Sequence, residues 1–248
     1  MNFHWLLPTI HGIPVLMYHR VSPDLQDGLT VTPEQLREQW LYLRYNGYRG
    51  ISLQEYLSIA SGKKRIYGKC VLITFDDGYQ NNLTYAYPLL QELKWCATFF
   101  IIADTLDGTA TPETEAINRK LSVTELRSMD PAVVQLALHG YHHENFSEIS
   151  LEEMKAAIQN SFRAFNEQKV PFEKVLAYPY GARPKRAHRR PLKSWMKEQG
   201  IQAAFRIGNK PEVAPSADLF EIKRIDILGE DSLSDFKIKL LKGKLKPF

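Results

Sequence analysis

The stretch Cys70-Val-Leu-Ile-Thr-Phe75 is apolar and half β-branched, and two aspartates and a glycine follow it directly. A short apolar run that ends at turn residues is typical of a strand buried on both faces, as the strands of a parallel sheet are. Six more stretches have this character, at residues 13–18, 97–103, 133–138, 175–178, 203–207 and 222–227. The sequence therefore predicts about seven buried strands.

Helix-start signals lie between these strands. Thr32 stands before Pro33, and a threonine cap followed by proline is a common first turn of a helix. Ser122 and Ser150 each precede a glutamate by three residues, which is the spacing of a capping box. Strands that alternate with helices predict an α/β fold with a parallel sheet, although periodicity does not separate a closed barrel from an open sheet. In either arrangement, reactive side chains belong at the carboxyl ends of the strands.

Composition sets several limits on the class of protein. The 248 residues are 44% hydrophobic, which suits one globular domain. The net charge of +4 is mildly basic, but basic and aromatic residues do not interleave, so no nucleic-acid partner is expected. Cys70 and Cys96 are predicted to be buried free thiols. Because the chain shows neither a membrane-spanning run nor a secretory signal, we expect a cytoplasmic protein.

The first candidate site is the pair Asp76-Asp77, which follows Phe75. Two carboxylates placed side by side at the end of a buried strand repel each other, and a divalent cation removes that repulsion. One aspartate can then bind the metal while the other acts as a general base. The alternative is a simple turn, because Asp-Asp-Gly is common turn chemistry.

The second candidate site is His139-Gly-Tyr-His142-His143, which follows the predicted strand at 133–138. Imidazole is a common metal ligand, and His139 and His143 are near enough in sequence to share one ion if the backbone turns between them. His142 is the residue most easily mistaken for a ligand. A solvated loop is the alternative, and three histidines in five residues make it the weaker interpretation.

Two weaker candidates lie at other strand ends. The turn at 178–181 combines aromatic rings, which pack well on sugars, with backbone N–H groups that can stabilise an oxyanion. His19 ends the first strand and can serve as a general acid, although a structural histidine is the simpler interpretation. The residues predicted to contact a substrate are Tyr18, Tyr178, Pro179, Tyr180 and Arg183.

Taken together and in this order, residues 74–78 (Thr-Phe-Asp-Asp-Gly) and 139–143 (His-Gly-Tyr-His-His) resemble the motifs of carbohydrate esterase family 4, the polysaccharide deacetylases. The first strand and the Tyr-Pro-Tyr-Gly turn are most similar to the biofilm poly-N-acetylglucosamine deacetylases, a branch with a permuted N-terminal strand. The resemblance implies a deformed (β/α) barrel of about seven parallel strands, in a single domain at 13–236. An extension at 1–12 and a basic tail at 237–248 would flank that domain.

The resemblance also implies a role for each candidate residue. Asp77, His139 and His143 are expected to hold one divalent metal, with zinc favoured over cobalt, nickel or manganese. The implied catalytic groups are Asp76 as base, His19 as acid, the backbone N–H of Tyr180 as oxyanion donor, and Arg224.

The chain departs from the family pattern at two places. Many members carry an arginine two residues before the motif proline, where this chain has Ala177. Many also end with a Leu-x-His motif that supplies the acid, whereas the last histidine here is His188. His19 is therefore the leading candidate for the acid, and Arg224 is the candidate for the missing arginine.

These features predict a hydrolase that removes N-acetyl groups from an N-acetylated glycan, free or carried on a lipid, and releases acetate. Such an activity belongs to carbohydrate metabolism and polysaccharide biosynthesis. Two alternatives would use the same site, namely an O-acetyl esterase and an amide hydrolase with a non-sugar substrate. A third alternative is a non-catalytic glycan-binding protein with a degenerate site, which Ala177 keeps open.

Two basic segments carry further predictions. Six cations and no acid lie within 183–193, directly after the turn at 178–181. We expect them near the mouth of the site, where they would attract a phosphate-bearing or otherwise acidic substrate. The lysine-rich segment at 237–246 predicts a weak contact with the surface of the inner membrane. In both cases the alternative is a solvated segment that binds nothing.

Overall fold

A computed structural model of the protein describes residues 12–24, 27–107 and 117–243. Within these residues, ten strands are present. In chain order they are β1 (Val15–Tyr18), β2 (Arg20–Val21), β3 (Thr30–Val31), β4 (Tyr48–Gly50), β5 (Lys69–Phe75), β6 (Ala97–Ile101), β7 (Val134–Leu138), β8 (Val175–Ala177), β9 (Ala203–Ile207) and β10 (Ile222–Asp226). The seven stretches predicted as buried strands are β1 and β5 to β10.

These seven strands form a closed barrel in which all pairings are parallel. Their order is β1-β10-β9-β8-β7-β6-β5, and β5 pairs back with β1. The register sets Tyr18 of β1 opposite Phe75 of β5, while Met17 lies opposite Asp226 of β10. The short β4 extends the sheet at the start of β5, and β2 and β3 form a separate pair. The predicted deformed barrel of about seven strands is confirmed.

Helices cover the outside of the barrel and begin where the sequence signals predicted. They are α1 (Pro33–Tyr45), α2 (Leu53–Ala60), α3 (Tyr87–Leu93), α4 (Val123–Ser128), α5 (Leu151–Glu167), α6 (Arg186–Glu198) and α7 (Leu233–Lys242). Thr32, Ser122 and Ser150 each accept a hydrogen bond from the third residue of the following helix, whose side chain bonds back to the cap. These reciprocal bonds satisfy backbone donors that a helix start otherwise leaves unpaired.

Two apolar cores result from the alternation of side chains along each strand. Outward-facing residues pack against the helices, where Trp40 of α1 lies 6.3 Å from the ring of Phe75 between centroids. Inward-facing residues fill the barrel, and the ring of Phe205 lies 5.6 Å from Phe100 and 5.7 Å from Tyr56 of α2. Because α2 contributes to this inner core, it closes the end of the barrel at the amino ends of the strands. The carboxyl ends therefore form the open mouth.

The predicted boundary at residue 236 falls inside α7. Lys239 is 6% exposed and its ammonium lies 2.5 Å from the carboxylate of Asp231. Leu240 is buried as well. These two residues hold α7 against the domain, so neither can take part in the membrane contact predicted for the basic tail. Residues 1–11 and 244–248 of the two predicted terminal segments lie outside the described residues.

The two cysteines are both free, as predicted. Cys70 is buried in the inner core of the barrel. Cys96, the residue before β6, is only partly buried, so the prediction of burial is wrong for this thiol. Among the described residues, no helix has the length and apolar character needed to cross a membrane.

The burial of Lys239 leads to a test of the C-terminal boundary. Replacing Lys239 with alanine leaves the Asp231 carboxylate buried without its partner, which we expect to lower the free energy of unfolding by about 3 kcal/mol. Lys237, on the same helix, lies 4.8 Å from the centre of the Tyr42 ring, and its replacement should cost less than about 1 kcal/mol. Urea unfolding followed by circular dichroism measures both. Equal, small effects would show that α7 is a tail after all.

Candidate active site

The site begins where β5 ends. Phe75 points outward into the core beneath the helices, so the next residue, Asp76, points into the barrel and is 2% exposed. Arg224 of β10 donates from its two terminal nitrogens to Asp76, at 2.6 Å to Oδ1 and 2.7 Å to Oδ2. It also donates to the hydroxyl of Thr74 at 3.3 Å. The barrel interior thus contains a buried bidentate ion pair.

This ion pair determines the charge of Asp76. Burial acts to raise the pKa of a carboxyl group, but Arg224 and His139 outweigh it and hold the pKa of Asp76 below its usual value. Asp76 is therefore ionised at neutral pH, which is the state that a proton acceptor requires. The arginine that the family pattern lacks at Ala177 thus has a counterpart at Arg224, as the sequence suggested.

The second aspartate lies beside the two predicted histidine ligands. Asp77 and His143 have left-handed backbones, with φ of 71° and 59°, which few non-glycine residues adopt. These turns bring Asp77 Oδ1 to 3.4 Å from Nε2 of His139 and to 3.4 Å from Nε2 of His143. One ligand atom from each of the three residues lies within 4.8 Å of the others. Strained backbone of this kind is concentrated at functional sites.

The three side chains fit a divalent cation. Two ligands at about 2.1 Å from a tetrahedral ion are about 3.4 Å apart, which is the separation observed here between Asp77 and each histidine. His139 Nδ1 lies 2.9 Å from the carbonyl oxygen of Ala177, so that nitrogen carries the proton and Nε2 keeps a lone pair for a metal. Asp77 Oδ1 is buried without a hydrogen-bond partner among the described residues. A bound cation would satisfy that oxygen.

The pKa values agree with this assignment. Burial lowers the pKa of His143 to about 4, assisted by the neighbouring His139, so the ring is neutral and can bind a metal at neutral pH. For His139, burial also favours the neutral ring, but the carboxylates of Asp76 and Asp77 outweigh it and raise the pKa. The pKa of Asp77 is well below its usual range, because His139 outweighs the effect of burial. The cluster has excess negative charge that a cation would neutralise.

His142 is turned away from the cluster. Its side chain is 64% exposed, and its Nδ1 lies 2.7 Å from the carboxylate of Asp104. The ring of Tyr141 packs against it at 4.4 Å between centroids. The structure therefore selects His143 and not His142 as the second histidine of the cluster, in agreement with the sequence interpretation.

His19 lies in the mouth of the barrel, one residue after β1. It is largely buried, and its Nδ1 has no hydrogen-bond partner among the described residues. Burial lowers the pKa of His19 more than the nearby Asp76 and Asp77 raise it. The ring is therefore neutral in the resting site, and once protonated it is a strong proton donor.

The turn after β8 approaches the same cluster. Tyr180 has a left-handed backbone with φ of 58°, and its ring lies 4.4 Å from the ring of His143. Tyr180 is 62% exposed, so its aromatic face is available to a ligand. Pro179 is buried, and a side chain added at Gly140 would come within 3.2 Å of its ring. Pro179 therefore supports the loop after His139, and its contact with a substrate stays a prediction.

Two other residues predicted to contact a substrate are turned away from the cluster of Asp77, His139 and His143. Tyr18 is fully buried, and its hydroxyl donates to Gln39 at 2.8 Å. Tyr178 is 3% exposed and packs against Phe146 at 5.8 Å between ring centroids. Both tyrosines point outward from the barrel, because the residues next to them, His19 and Ala177, point inward. Arg183 lies farther along the chain and forms an ion pair with Glu221 at 3.1 Å.

Sequence reasoning missed one charged residue of the site, Lys120. The segment around it pairs with the chain after Asp77, and the Lys120 ammonium lies 3.4 Å from the centre of the Tyr79 ring. Burial lowers the pKa of Lys120 to about 8, although Asp77 acts in the opposite direction. No local pattern marks this residue, since it meets Tyr79 only through a long loop.

Fold and site together define a class of protein, a parallel β/α barrel with an Asp-His-His metal-type site at the carboxyl ends of its strands. The chain belongs to the polysaccharide deacetylase family, whose model matches residues 63–204, more than half of the chain. That match includes Asp76, Asp77, His139 and His143, while His19 and Arg224 lie outside it.

Curated relatives and a solved structure agree with this assignment. The poly-β-1,6-N-acetyl-D-glucosamine N-deacetylase of Escherichia coli is 30% identical over 141 residues, 53% of this chain. The Bacillus subtilis protein YxkH is 27% identical over 171 residues, 68% of this chain. The chain spans 21% of the length of the first relative and 57% of the second. IcaB from Ammonifex degensii, 23% identical, shares the fold with a TM-score of 0.74, over 92% of this chain and 97% of that one.

The ligand assignment can be tested by metal content. We expect alanine at His139 or at His143 to weaken binding of a divalent metal by on the order of 100-fold or more, since loss of even an indirect partner costs 10- to 100-fold. Alanine at His142 is the matched control and should retain the metal, because this ring faces Asp104. Metal per chain after dialysis is measured by plasma mass spectrometry. If His142→Ala loses the metal while His143→Ala keeps it, His142 and not His143 is the ligand.

Proposed function

We propose that the protein is a metal-dependent hydrolase that removes N-acetyl groups from an N-acetylated glycan and releases acetate. The observation that carries the proposal is that the two adjacent aspartates have different partners. Asp76 is held ionised by Arg224, and Asp77 turns toward the two histidines. A base beside a metal site is the arrangement that hydrolysis of an amide needs.

Asp77, His139 and His143 would hold the metal. Two imidazoles and one carboxylate are a ligand set found in catalytic zinc sites, so zinc is our first choice, ahead of cobalt, nickel and manganese. When bound, the cation lowers the pKa of a water molecule and polarises the acetyl carbonyl group. Three protein ligands leave coordination positions free for both.

The remaining steps belong to side chains and backbone of this chain. Asp76 accepts a proton from the attacking water, and the guanidinium of Arg224 keeps its carboxylate fixed in orientation. The backbone N–H of Tyr180 donates to the developing oxyanion. His19 is neutral in the resting site, so it first takes up a proton and then donates it to the departing nitrogen. The closed barrel below Asp76 excludes water, which strengthens each of these interactions.

The substrate proposal rests on the relatives and on Tyr180. The Escherichia coli relative is named for poly-β-1,6-N-acetyl-D-glucosamine, and we propose a glycan of N-acetylhexosamine units for this chain too. The exposed ring of Tyr180 offers an apolar face on which a sugar ring can pack. A glycan attached to a lipid carrier presents the same units and belongs to the same proposal.

Arg224 also weakens the alternative of a degenerate, non-catalytic site. The absence of an arginine at position 177 suggested an incomplete site, but Ala177 belongs to the inner core and Arg224 reaches Asp76 from another strand of the same barrel. The guanidinium that orients the base is therefore present, and only the strand that supplies it differs.

Acetate release tests the proposed reaction. We expect the metal-loaded protein to release acetate from β-1,6-linked N-acetylglucosamine oligomers and not from O-acetylated xylan. Asp76→Asn should retain the metal but lose about 10²- to 10⁴-fold in kcat, because the amide cannot accept the proton. Enzyme-coupled acetate detection measures both. Release from xylan alone would favour an O-acetyl esterase, and an Asp76→Asn variant within threefold of the original would remove Asp76 from the mechanism.

Arg224 leads to a prediction about pH dependence. The pKa of Asp76 is lowered in the intact site, so its carboxylate is lost only at acidic pH. In Arg224→Met, burial acts on Asp76 without the opposing guanidinium, so the pKa of Asp76 should rise and the acidic limb of kcat/KM should move to higher pH. Arg224→Lys keeps a positive charge and should move the limb less. Circular dichroism confirms folding of both variants, and an unmoved limb in Arg224→Met would contradict the assigned role.

A further inference from the structure

A groove of about 460 Å³ lies beside α6, on the outer side of the barrel. One wall is a face of α6, and the other is the segment just before β10. The side chains that line it are Tyr178, Arg189, Arg190, Lys193, Ser194, Lys197, Asp218, Phe220 and Glu221. Phe220 forms an apolar floor, and the ammonium groups of Lys193 and Lys197 lie 5.7 and 5.8 Å from the centre of its ring.

The two acidic residues of the groove are used internally. Glu221 forms ion pairs with Arg183 at 3.1 Å and with Arg206 at 2.8 Å. Asp218 pairs with Lys193 at 2.6 Å and accepts the backbone N–H of Phe220 at 2.9 Å. These contacts fix the wall of the groove and leave its carboxylates little capacity to neutralise other cations.

Three cations of the groove have no carboxylate partner among the described residues, although Nε of Arg189 donates to the carbonyl oxygen of Pro184 at 2.8 Å. They are Arg189, Arg190 and Lys197, and they differ in this from Lys193. Arg189, Lys193 and Lys197 are four residues apart and lie on one face of α6, and Arg190 is next to that face. Arg186, which the sequence placed in the same basic segment, does not line the groove. The groove therefore concentrates positive charge on one face of the helix.

The groove lies close along the chain to the turn that bears Tyr180. Tyr178 lines the groove, and Tyr180, two residues later, packs on His143 of the metal site. Two residues of chain span at most about 7 Å, so one turn separates the groove from the rim of the metal site. A glycan that packs on Tyr180 can therefore reach over this turn into the groove.

We propose that this groove binds a phosphate group carried by the glycan substrate, at Arg189, Arg190 and Lys197. This proposal rests on the proposed deacetylase function and assigns a second subsite to its substrate. A phosphate presents several acceptor oxygens and up to two charges, so it can engage more than one cation at once, and the planar arginine fork binds two of its oxygens.

The test compares two substrates that differ only in a phosphate group. The metal-loaded protein is given a β-1,6-linked N-acetylglucosamine oligosaccharide or the same oligosaccharide with a phosphate at its reducing end. The measured quantity is the KM of the unphosphorylated form divided by the KM of the phosphorylated form. We expect the KM of the phosphorylated form to be lower by about tenfold or more, because its phosphate adds roughly 1.4 kcal/mol of charge-assisted hydrogen bonding. In the variant R189Q/R190Q/K197Q this ratio should fall toward one, and high salt should have the same effect.

A variant with the same loss of charge serves as control. Arg44, Lys63 and Arg65 are exposed and lie in other parts of the chain, and R44Q/K63Q/R65Q should keep the ratio of the original protein. Equal KM values for the two substrates in the original protein, or an equal fall of the ratio in both triple variants, would overturn the proposal. The original protein could sediment with phosphatidylglycerol vesicles while the groove variant does not, with no preference for either glycan. That outcome would show that the groove binds a membrane surface, and it would overturn the proposal as well.

A binding measurement separates failure of the groove from failure of the deacetylase proposal. Calorimetric titration of the metal-free protein with inorganic phosphate reports on the groove without turnover, and without a metal ion that phosphate could bind. Weaker binding by the groove variant than by the control variant supports the subsite even if neither glycan releases acetate. Equal binding by the original protein and the groove variant overturns it, whatever the activity.

Discussion

A guanidinium group without solvent exposure lies inside the barrel between an aromatic ring and a carboxylate. Arg224 lies 5.3 Å from the centre of the Phe100 ring, and it donates two hydrogen bonds to Asp76. A buried ion pair is tolerated only when its geometry is good, because removal of two charges from water costs several kcal/mol. The bidentate contact and the hydroxyl of Thr74 meet that condition. The inner core beneath this pair and the reactive groups above it both depend on this arrangement.

The backbone above the ion pair is strained at three residues, each of which faces the proposed substrate. Asp77, His143 and Tyr180 all have positive φ values. Such conformations persist only where surrounding contacts hold them, and they turn the chain sharply at the end of a strand. Each sharp turn brings a side chain or ring back over the mouth of the barrel. The rigid strands thus fix the position of the backbone at the mouth, and the strained turns orient the side chains that follow.

The closure of the barrel explains how this chain completes its site with residues from both ends. β1 pairs with β5 on one side and with β10 on the other. His19 follows β1 and Arg224 lies on β10, so both reach the mouth although 205 residues separate them in sequence. Both lie outside the segment that matches the family model, which ends at residue 204. A common barrel can therefore supply the same chemical groups from different strands.

Local patterns in the sequence determined the seven strands and the capped helices, because strand runs and capping boxes depend on neighbouring residues. The Asp-His-His cluster was indicated by the resemblance of residues 74–78 and 139–143 to the family motifs, since Asp77 lies far from the two histidines in sequence. Only the tertiary structure decided which side chains face the mouth, and it removed Tyr18 and Tyr178 from the metal site because they face outward. It also placed Glu221 and Asp218 against a segment that contains no acid of its own, and it joined Lys239 to Asp231 in a buried pair. These contacts depend on strand order, register and side-chain orientation, which arise when distant segments pack together.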